Sequence, residues 1–222
     1  MISFVAEWDL CYIRMIFIQR ERLLVNESNR LHRQIEFIRE IDKLKHVLRQ
    51  SLLMDASRQE NDAEHTWHIA MMGMIMLEHA AEPGLDLTVV LKMLLIHDIV
   101  EIDAGDTFAY DESGHVDKFQ REQVAANRLF GLLPDDQRDE LISLWLEFEA
   151  GDTMESRYAA SIDRLQPLLH NYYTSGAAWQ RHGVRSSQIL ERITKMAISV
   201  PALYDYAVWL VGDAVAKGYL AE

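Results

Sequence analysis

The stretch Leu94-Leu95-Ile96-His97-Asp98-Ile99-Val100-Glu101 sets His97, Asp98 and Glu101 inside an otherwise apolar run. Such side chains are costly to bury without partners. From Leu87 to Ile102 apolar residues fall on nearly every side, which predicts a helix through the middle of a core rather than a surface amphipath. On that helix His97 and Glu101, four apart, share a face, and Asp98 sits beside Glu101 at a spacing of three. A buried carboxylate next to a buried imidazole calls for positive charge, and a divalent cation supplies it directly.

A His-Asp pair alone carries little, since a core histidine can simply hydrogen-bond a carbonyl. The rest of the chain adds weight. His65 opens a second apolar helix, Glu64 to Ala80, and Asp163 lies in a third helical segment, Tyr158 to Tyr173. In that order, His65, His97-Asp98 and Asp163 can point nitrogen and oxygen ligands from three helices of a bundle at one ion. His68 shares a face with His65 at a spacing of three, so spacing leaves both histidines open as the ligand.

With 222 residues the chain is long enough for one well-buried domain, and nothing in its pattern demands a second, so residues 1–222 are read as a single unit. A formal net charge of −13 argues against a nucleic-acid polymer as partner, which would want clustered Lys and Arg. An anionic small substrate stays open, because a bound cation reverses the local potential. The single cysteine, Cys11, excludes an intramolecular disulfide and fits a reducing, cytoplasmic setting. The apolar run Leu10 to Ile18 carries Arg14, follows Glu7 and Asp9, and lacks a small-residue cleavage pattern. It reads neither as an export signal nor as a membrane span.

No strand pattern, repeat, low-complexity tract or glycine-rich phosphate loop emerges, so the expected fold is all-α, a compact bundle of roughly eight to ten helices. Residues 1–29, with apolar Phe4, Val5, Trp8 and Tyr12, form an N-terminal extension with no assigned role. From Leu31 onward Ile35, Ile38, Ile41, Leu44 and Leu48 recur at helical spacing and predict a core-facing helix. Periodicity breaks between Arg49 and Asp62, a predicted loop bearing Arg49, Arg58 and Glu60. The methionine-rich run Met71, Met72, Met74 and Met76 is assigned to core packing. Gly105 permits a tight reversal beside Glu101, which on local grounds makes Asp106 a turn or cap residue. Phe108 to Asp117 reads as a loop at the mouth of a site. Amphipathic helices follow over Asp117 to Leu133 and from Pro134, the second with Leu141, Leu144, Trp145 and Phe148 inward. Pro167 is expected to kink the helix bearing Asp163, and Pro201 to separate two last helices, Ser186 to Val200 and Ala202 to Gly218.

In combination, Arg58-x-Glu60-Asn61 leading into Glu64-His65, His97-Asp98-x-x-Glu101, Gly105-Asp106 and Ile162-Asp163 are far more specific than any one motif. With them the chain resembles the HD-domain metal-dependent phosphohydrolases, and more narrowly their 5′-deoxynucleotidase branch, over residues 44–173. The resemblance implies an HD-type bundle with one divalent transition metal per chain, Mn, Co, Fe, Ni or Zn, on His65, His97, Asp98 and Asp163. It takes His65 rather than His68 as first ligand. It also implies a loop arginine that orients the substrate phosphate, Arg49 ahead of Arg58, and an Asp106 that contacts the sugar hydroxyl. Glu101, one turn from His97, is placed to handle protons or to position water, and Asp106 is the other catalytic candidate. Binuclear members use extra histidines between the His-Asp pair and the last aspartate. Here only His115 intervenes, which implies a single-metal site.

The activity implied is release of phosphate from nucleoside 5′-monophosphates, deoxyribonucleotides above all, with a homodimer as the family's expectation. Two rivals stand beside it. One is an HD hydrolase of another phosphate ester, such as a guanosine polyphosphate. The other is a non-catalytic nucleotide or metal sensor, against which the Glu101 and Asp106 carboxylates weigh, since a sensor has no need of a proton-handling group.

Overall fold

The computed structural model describes residues 29–222, so the N-terminal extension falls outside the described residues but for its last residue. Helix α1 covers residues 29–41 of the described part and runs into a 3-10 turn, Asp42–His46. The all-α expectation holds, with one addition. Where a loop is expected between Arg49 and Asp62, the chain forms an antiparallel hairpin of β1 (Leu48–Leu52) and β2 (Gln59–Asn61), with Leu48 opposite Asn61 and Leu52 opposite Gln59. Strands of five and three residues are too short for a period of two to show in the sequence.

Helix α2 (Asp62–Ile75) follows β2 without a loop. Its start is a capping box: the Asn61 side chain accepts from the Glu64 N–H, and the Glu64 carboxylate accepts from the Asn61 N–H. A 3-10 turn, Leu77–His79, ends the segment. Helix α3 (Leu87–Ile96) is capped by Asp86, whose carboxylate accepts from the N–H groups of Thr88 and Val89. The long helix expected over Leu87 to Ile102 stops short. Residues His97–Val100 tighten into a 3-10 turn, α4 (Glu101–Ala104) adds one more turn, and Gly105 at φ +76° ends it.

The remainder is α5 (Lys118–Phe130), α6 (Asp135–Ala150), α7 (Met154–Tyr173), α8 (Ala177–His182), α9 (Ser186–Ile193), α10 (Met196–Ser199) and α11 (Pro201–Ala216). The helix expected over Ser186 to Val200 is divided in two, and Pro201 is the first residue of α11, where its missing N–H costs nothing. Helix α7 runs on through Pro167. The proline has no N–H for the carbonyl of the residue four before it, which is Asp163.

Two apolar clusters hold these elements together. The first joins α2, α3, α7 and the C-terminal helices through Ile69, Met93, Leu94, Ile162 and Leu210. The second joins α1, α5 and α6 through Phe37, Leu129, Phe130 and Trp145. The segment 93–100 passes from one to the other, Met93 and Leu94 lying in the first and Ile96, Ile99 and Val100 in the second. His97, Asp98 and Glu101 are thereby buried in the seam. Gly73 marks a close approach of α2 to α3, since a Cβ there would meet Leu94 Cδ1 at 2.8 Å, and its carbonyl accepts from the Tyr158 hydroxyl at 2.8 Å.

Two packing expectations are corrected. On α1 the buried residue is Phe37, while Leu31, Ile35 and Ile38 face outward, because α1 meets α5 and α6 along its opposite side, where Arg33 donates to the Leu132 carbonyl. On α2 only Met72 of the methionine run is buried. Trp67, 66% exposed, lies with Met71, Met74 and Ile75 on an outer face, because His65, Ile69 and Met72 already fill the inward one. Among the described residues no helix is long and apolar enough to cross a membrane.

Candidate metal centre and its cavity

Three elements deliver the polar groups. Helix α2 supplies Asp62 and His65, the 3-10 turn supplies His97 and Asp98, and α7 supplies Asp163. His65 Nε2 lies 3.0 Å from Asp163 Oδ1 and 3.7 Å from Asp98 Oδ2. His97 Nε2 lies 3.1 Å from Asp98 Oδ1 and 3.6 Å from Asp163 Oδ1. The structure thus brings all of His65, His97, Asp98 and Asp163 to one point.

The protonation of the two rings decides what that point can hold. His97 Nδ1 donates to the Leu94 carbonyl at 3.0 Å, which leaves Nε2 as the ring atom turned to the carboxylates, buried and without a hydrogen-bond partner. His65 is fixed through Gln166. The Gln166 amide nitrogen faces Glu60 Oε1 at 2.7 Å and His170 Nε2 at 2.9 Å, so its oxygen is the atom turned to His65 Nδ1, 3.1 Å away. An amide oxygen only accepts, so His65 carries its proton on Nδ1 and presents a bare Nε2 to Asp163. Burial and the nearby Arg49 guanidinium hold His65 below the ordinary histidine range, which keeps that ring neutral. Burial alone would do the same to His97, but the Asp98 and Asp163 carboxylates outweigh it and push the imidazole up to about 9, so at neutral pH its Nε2 keeps a proton between them that a divalent cation would displace. Two ring nitrogens and two carboxylates converging on one point fit a divalent metal ion, and this set of ligand atoms suits Mn, Fe, Co, Ni or Zn.

His68, the alternative ligand, turns elsewhere. Its Nδ1 lies 3.4 Å from both Gln166 Nε2 and His170 Nε2, inside the Gln166 network. His170 Nδ1 in turn donates to the Leu52 carbonyl of β1 at 2.8 Å. Gln166, Glu60 and His170 have no part in the ligand set read from the sequence. The available signal was their spacing, since Gln166 stands three residues after Asp163 and four before His170 on one helix.

Glu101 keeps the Asp98 neighbour expected of it and gains one that was not: its carboxylate groups with those of Asp98 and Asp62, the ligand oxygens lying within 4.8 Å of one another. A 3-10 turn has three residues per turn, which sets Asp98 and Glu101 over each other. Burial first, then the negative charges of Asp98 and Asp62, raise Glu101 well above the usual carboxylate range, and burial with Asp98 raises Asp62 to about 7. Asp62 is a residue the sequence did not single out.

Of the two arginines expected near phosphate, only Arg49 is at the site. Carried on β1, it puts Nη1 2.8 Å from Asp98 Oδ2 and 3.1 Å from Asp62 Oδ1. Arg58 stands exposed at the hairpin end and forks the Glu64 carboxylate at 2.8 and 2.5 Å, away from the centre. Asp106 lines the same cavity as the centre, and burial raises its carboxyl despite the neighbouring Arg49. That cavity measures about 350 Å³, within the range of small-molecule sites. Besides the centre it is lined by Phe108 and Tyr110 of the loop after Gly105, by Trp179 of α8, and by Arg164 and Arg192 of α7 and α9.

The profile of the HD domain matches residues 41–203 of the chain. The chain belongs to the HD-domain family. Among solved HD-domain-like structures, a Magnetospirillum magnetotacticum MS-1 protein described as "Predicted metal-dependent phosphohydrolase" is 51% identical, with a TM-score of 0.85 over 88% of this chain and 98% of its own. The PH0347 protein of Pyrococcus horikoshii OT3 shares the fold at 20% identity and a TM-score of 0.62, over 81% and 99% of the two chains. Human 5′-deoxynucleotidase HDDC2 is 28% identical over 136 residues, which is 61% of this chain and 65% of the human protein's length.

Proposed function

We propose that this HD-domain chain is a metal-dependent phosphohydrolase that releases phosphate from nucleoside 5′-monophosphates, deoxyribonucleotides above all. The observation that carries it is the convergence of His65, His97, Asp98 and Asp163, with an orphaned His97 Nε2, at a cavity of about 350 Å³. Relatives named 5′-deoxynucleotidases support the choice of substrate class.

His65, His97, Asp98 and Asp163 hold the ion. A divalent ion there supplies Lewis acidity toward a phosphate oxygen and toward water. The other roles belong to the chain. Glu101, its carboxyl raised by burial, carries a proton and moves it at the reacting oxygen as the P–O5′ bond is replaced by a bond from water. Arg49 is held against Asp98 and Asp62 and faces the phosphate with the rest of its guanidinium. Asp106 accepts from the sugar hydroxyl. The products are a nucleoside and inorganic phosphate.

A panel of nucleotides assayed for phosphate release with added Mn²⁺ or Co²⁺ is the test. Deoxyribonucleoside 5′-monophosphates are expected to outpace their ribonucleotide counterparts, with 3′-monophosphates poor. A site built around one hydroxyl discriminates strongly when that group is misplaced. Equal rates on ribo and deoxy substrates would remove the deoxynucleotidase reading and leave a broader phosphohydrolase. Tight nucleotide binding with no phosphate release from any member would favour the sensor.

A further inference from the structure

The cations of the cavity divide into two kinds. Arg49, Lys118, Arg164 and Arg192 all line it. Arg49 is committed to Asp98 and Asp62, and Lys118 to Glu122 at 2.7 Å. Arg164 makes a single hydrogen bond, from Nη1 to the Ala160 carbonyl at 3.3 Å, and Arg192 makes none among the described residues. Neither forms an ion pair with a carboxylate among the described residues.

Arg164 is half-buried on α7, next in sequence to the ligand Asp163, while Arg192 is exposed on α9. Both reach the same cavity, one from α7 and the other from α9. Two arginines lining one cavity with no carboxylate partner among the described residues leave two guanidinium forks open to an anion. The phosphate that reacts does not require them. Its charge is answered by the ion at His65, His97, Asp98 and Asp163 together with Arg49.

We propose that Arg164 and Arg192 form a second anion subsite, so that the preferred ligand is a nucleotide carrying a second phosphate beyond the one removed. This rests on the phosphohydrolase reading for the first phosphate alone. The second phosphate has two chemical sources. It sits either on the sugar, as in a 3′,5′-bisphosphate, or in the 5′ chain, as in a 5′-diphosphate. Both present a pair of phosphate oxygens that a guanidinium fork matches.

The experiment compares deoxyadenosine 5′-monophosphate, 3′,5′-bisphosphate and 5′-diphosphate on the metal-loaded full-length chain. Calorimetry gives the affinity of each, and phosphate release is followed in parallel. One of the two bisphosphorylated ligands is expected to bind about tenfold or more tighter than the monophosphate, the scale of a charge-assisted hydrogen bond. Which one does so locates the second phosphate on the sugar or in the chain. Arg164→Gln and Arg192→Gln are each expected to bring that affinity ratio down toward one. Because Arg192 is exposed, its variant tests the subsite without disturbing the core. Equal affinities for all three ligands would overturn the proposal, and so would a ratio that survives both substitutions. A chain that releases no phosphate yet keeps an arginine-dependent preference for the bisphosphorylated ligand supports the subsite and defeats the phosphohydrolase reading.

Discussion

Glu101 shows how a single side chain can be visible in a sequence for one reason and useful in a structure for another. A helical reading places it with His97 and Asp98, and the 3-10 turn adds Asp62 to its neighbours, where burial and the adjacent carboxylates raise its carboxyl well above the usual range. With four other groups proposed as the ligand set, Glu101→Gln is expected to separate metal binding from proton transfer. The amide has the size of the acid but cannot give or take a proton. Elemental analysis of the variant is expected to show the ion retained, and turnover to fall ~100-fold to 10,000-fold. Loss of the ion would make Glu101 a ligand, and near-native turnover would move proton handling to Asp106. At this scale the convergence of His65, His97, Asp98 and Asp163 was legible from their order together with the family resemblance, which chose His65 where spacing left His68 open. Asp62 and Gln166 were not, since a carboxylate at a helix start and an amide in an apolar stripe look like a cap and a core oddity until neighbouring elements close on them.

The hairpin is the element whose absence from the sequence reading mattered most, because it carries Arg49 into the seam and sets Glu60 against His170 of α7. Helices with caps and an apolar face could be read, as α2, α3 and α7 show. A hairpin this short has no pattern of its own and forms on the surface that α2 and α7 offer. Its pairing with α7 has a pH signature. Burial raises Glu60 from 4.5 to about 7, and burial lowers His170 from 6.5 to about 4. A raised carboxyl contributes stability that is full below 4.5 and is lost as pH rises through about 7, whereas a lowered imidazole contributes stability that is full above 6.5 and is lost as pH falls through about 4. In the shared window the two oppose each other, and the native chain is expected to change little in stability. Glu60→Gln removes one of them. Urea unfolding of that variant is expected to show stability falling on acidification from 6.5 toward 4 with a slope approaching ~1.4 kcal/mol per pH unit, steeper than the native chain. Parallel profiles for the two proteins would show that His170 is not held neutral.

Across the whole molecule the proposed ligand residues do more than define a reaction. His65 stands on α2, His97 and Asp98 at the crossing between the two apolar clusters, and Asp163 on α7 beside the proline that frees its carbonyl. An ion bound there ties the two clusters at their seam and neutralises a group of carboxylates, Asp62, Asp98 and Asp163 among them, that otherwise repel one another. Because the ligands come from distant parts of the sequence, the unfolded chain has no such site, and the free energy of binding becomes free energy of folding. At a thousandfold excess over its dissociation constant an ion contributes about 4 kcal/mol. For a chain of 222 residues each kcal/mol moves the midpoint by about 2–4 °C, so chelation is expected to lower Tm by about 10 °C. His97→Ala is the control that makes this specific: it removes the buried ring nitrogen that has no hydrogen-bond partner, and its Tm is expected to be low from the start and indifferent to chelator. A native chain stripped of metal, as elemental analysis would show, that melts where the loaded one does would mean that the seam is held by its apolar clusters and the Arg49 ion pairs alone. A His97→Ala protein that still responds to chelator would place the ion elsewhere, with Glu60, His68 and His170 the next group able to hold it.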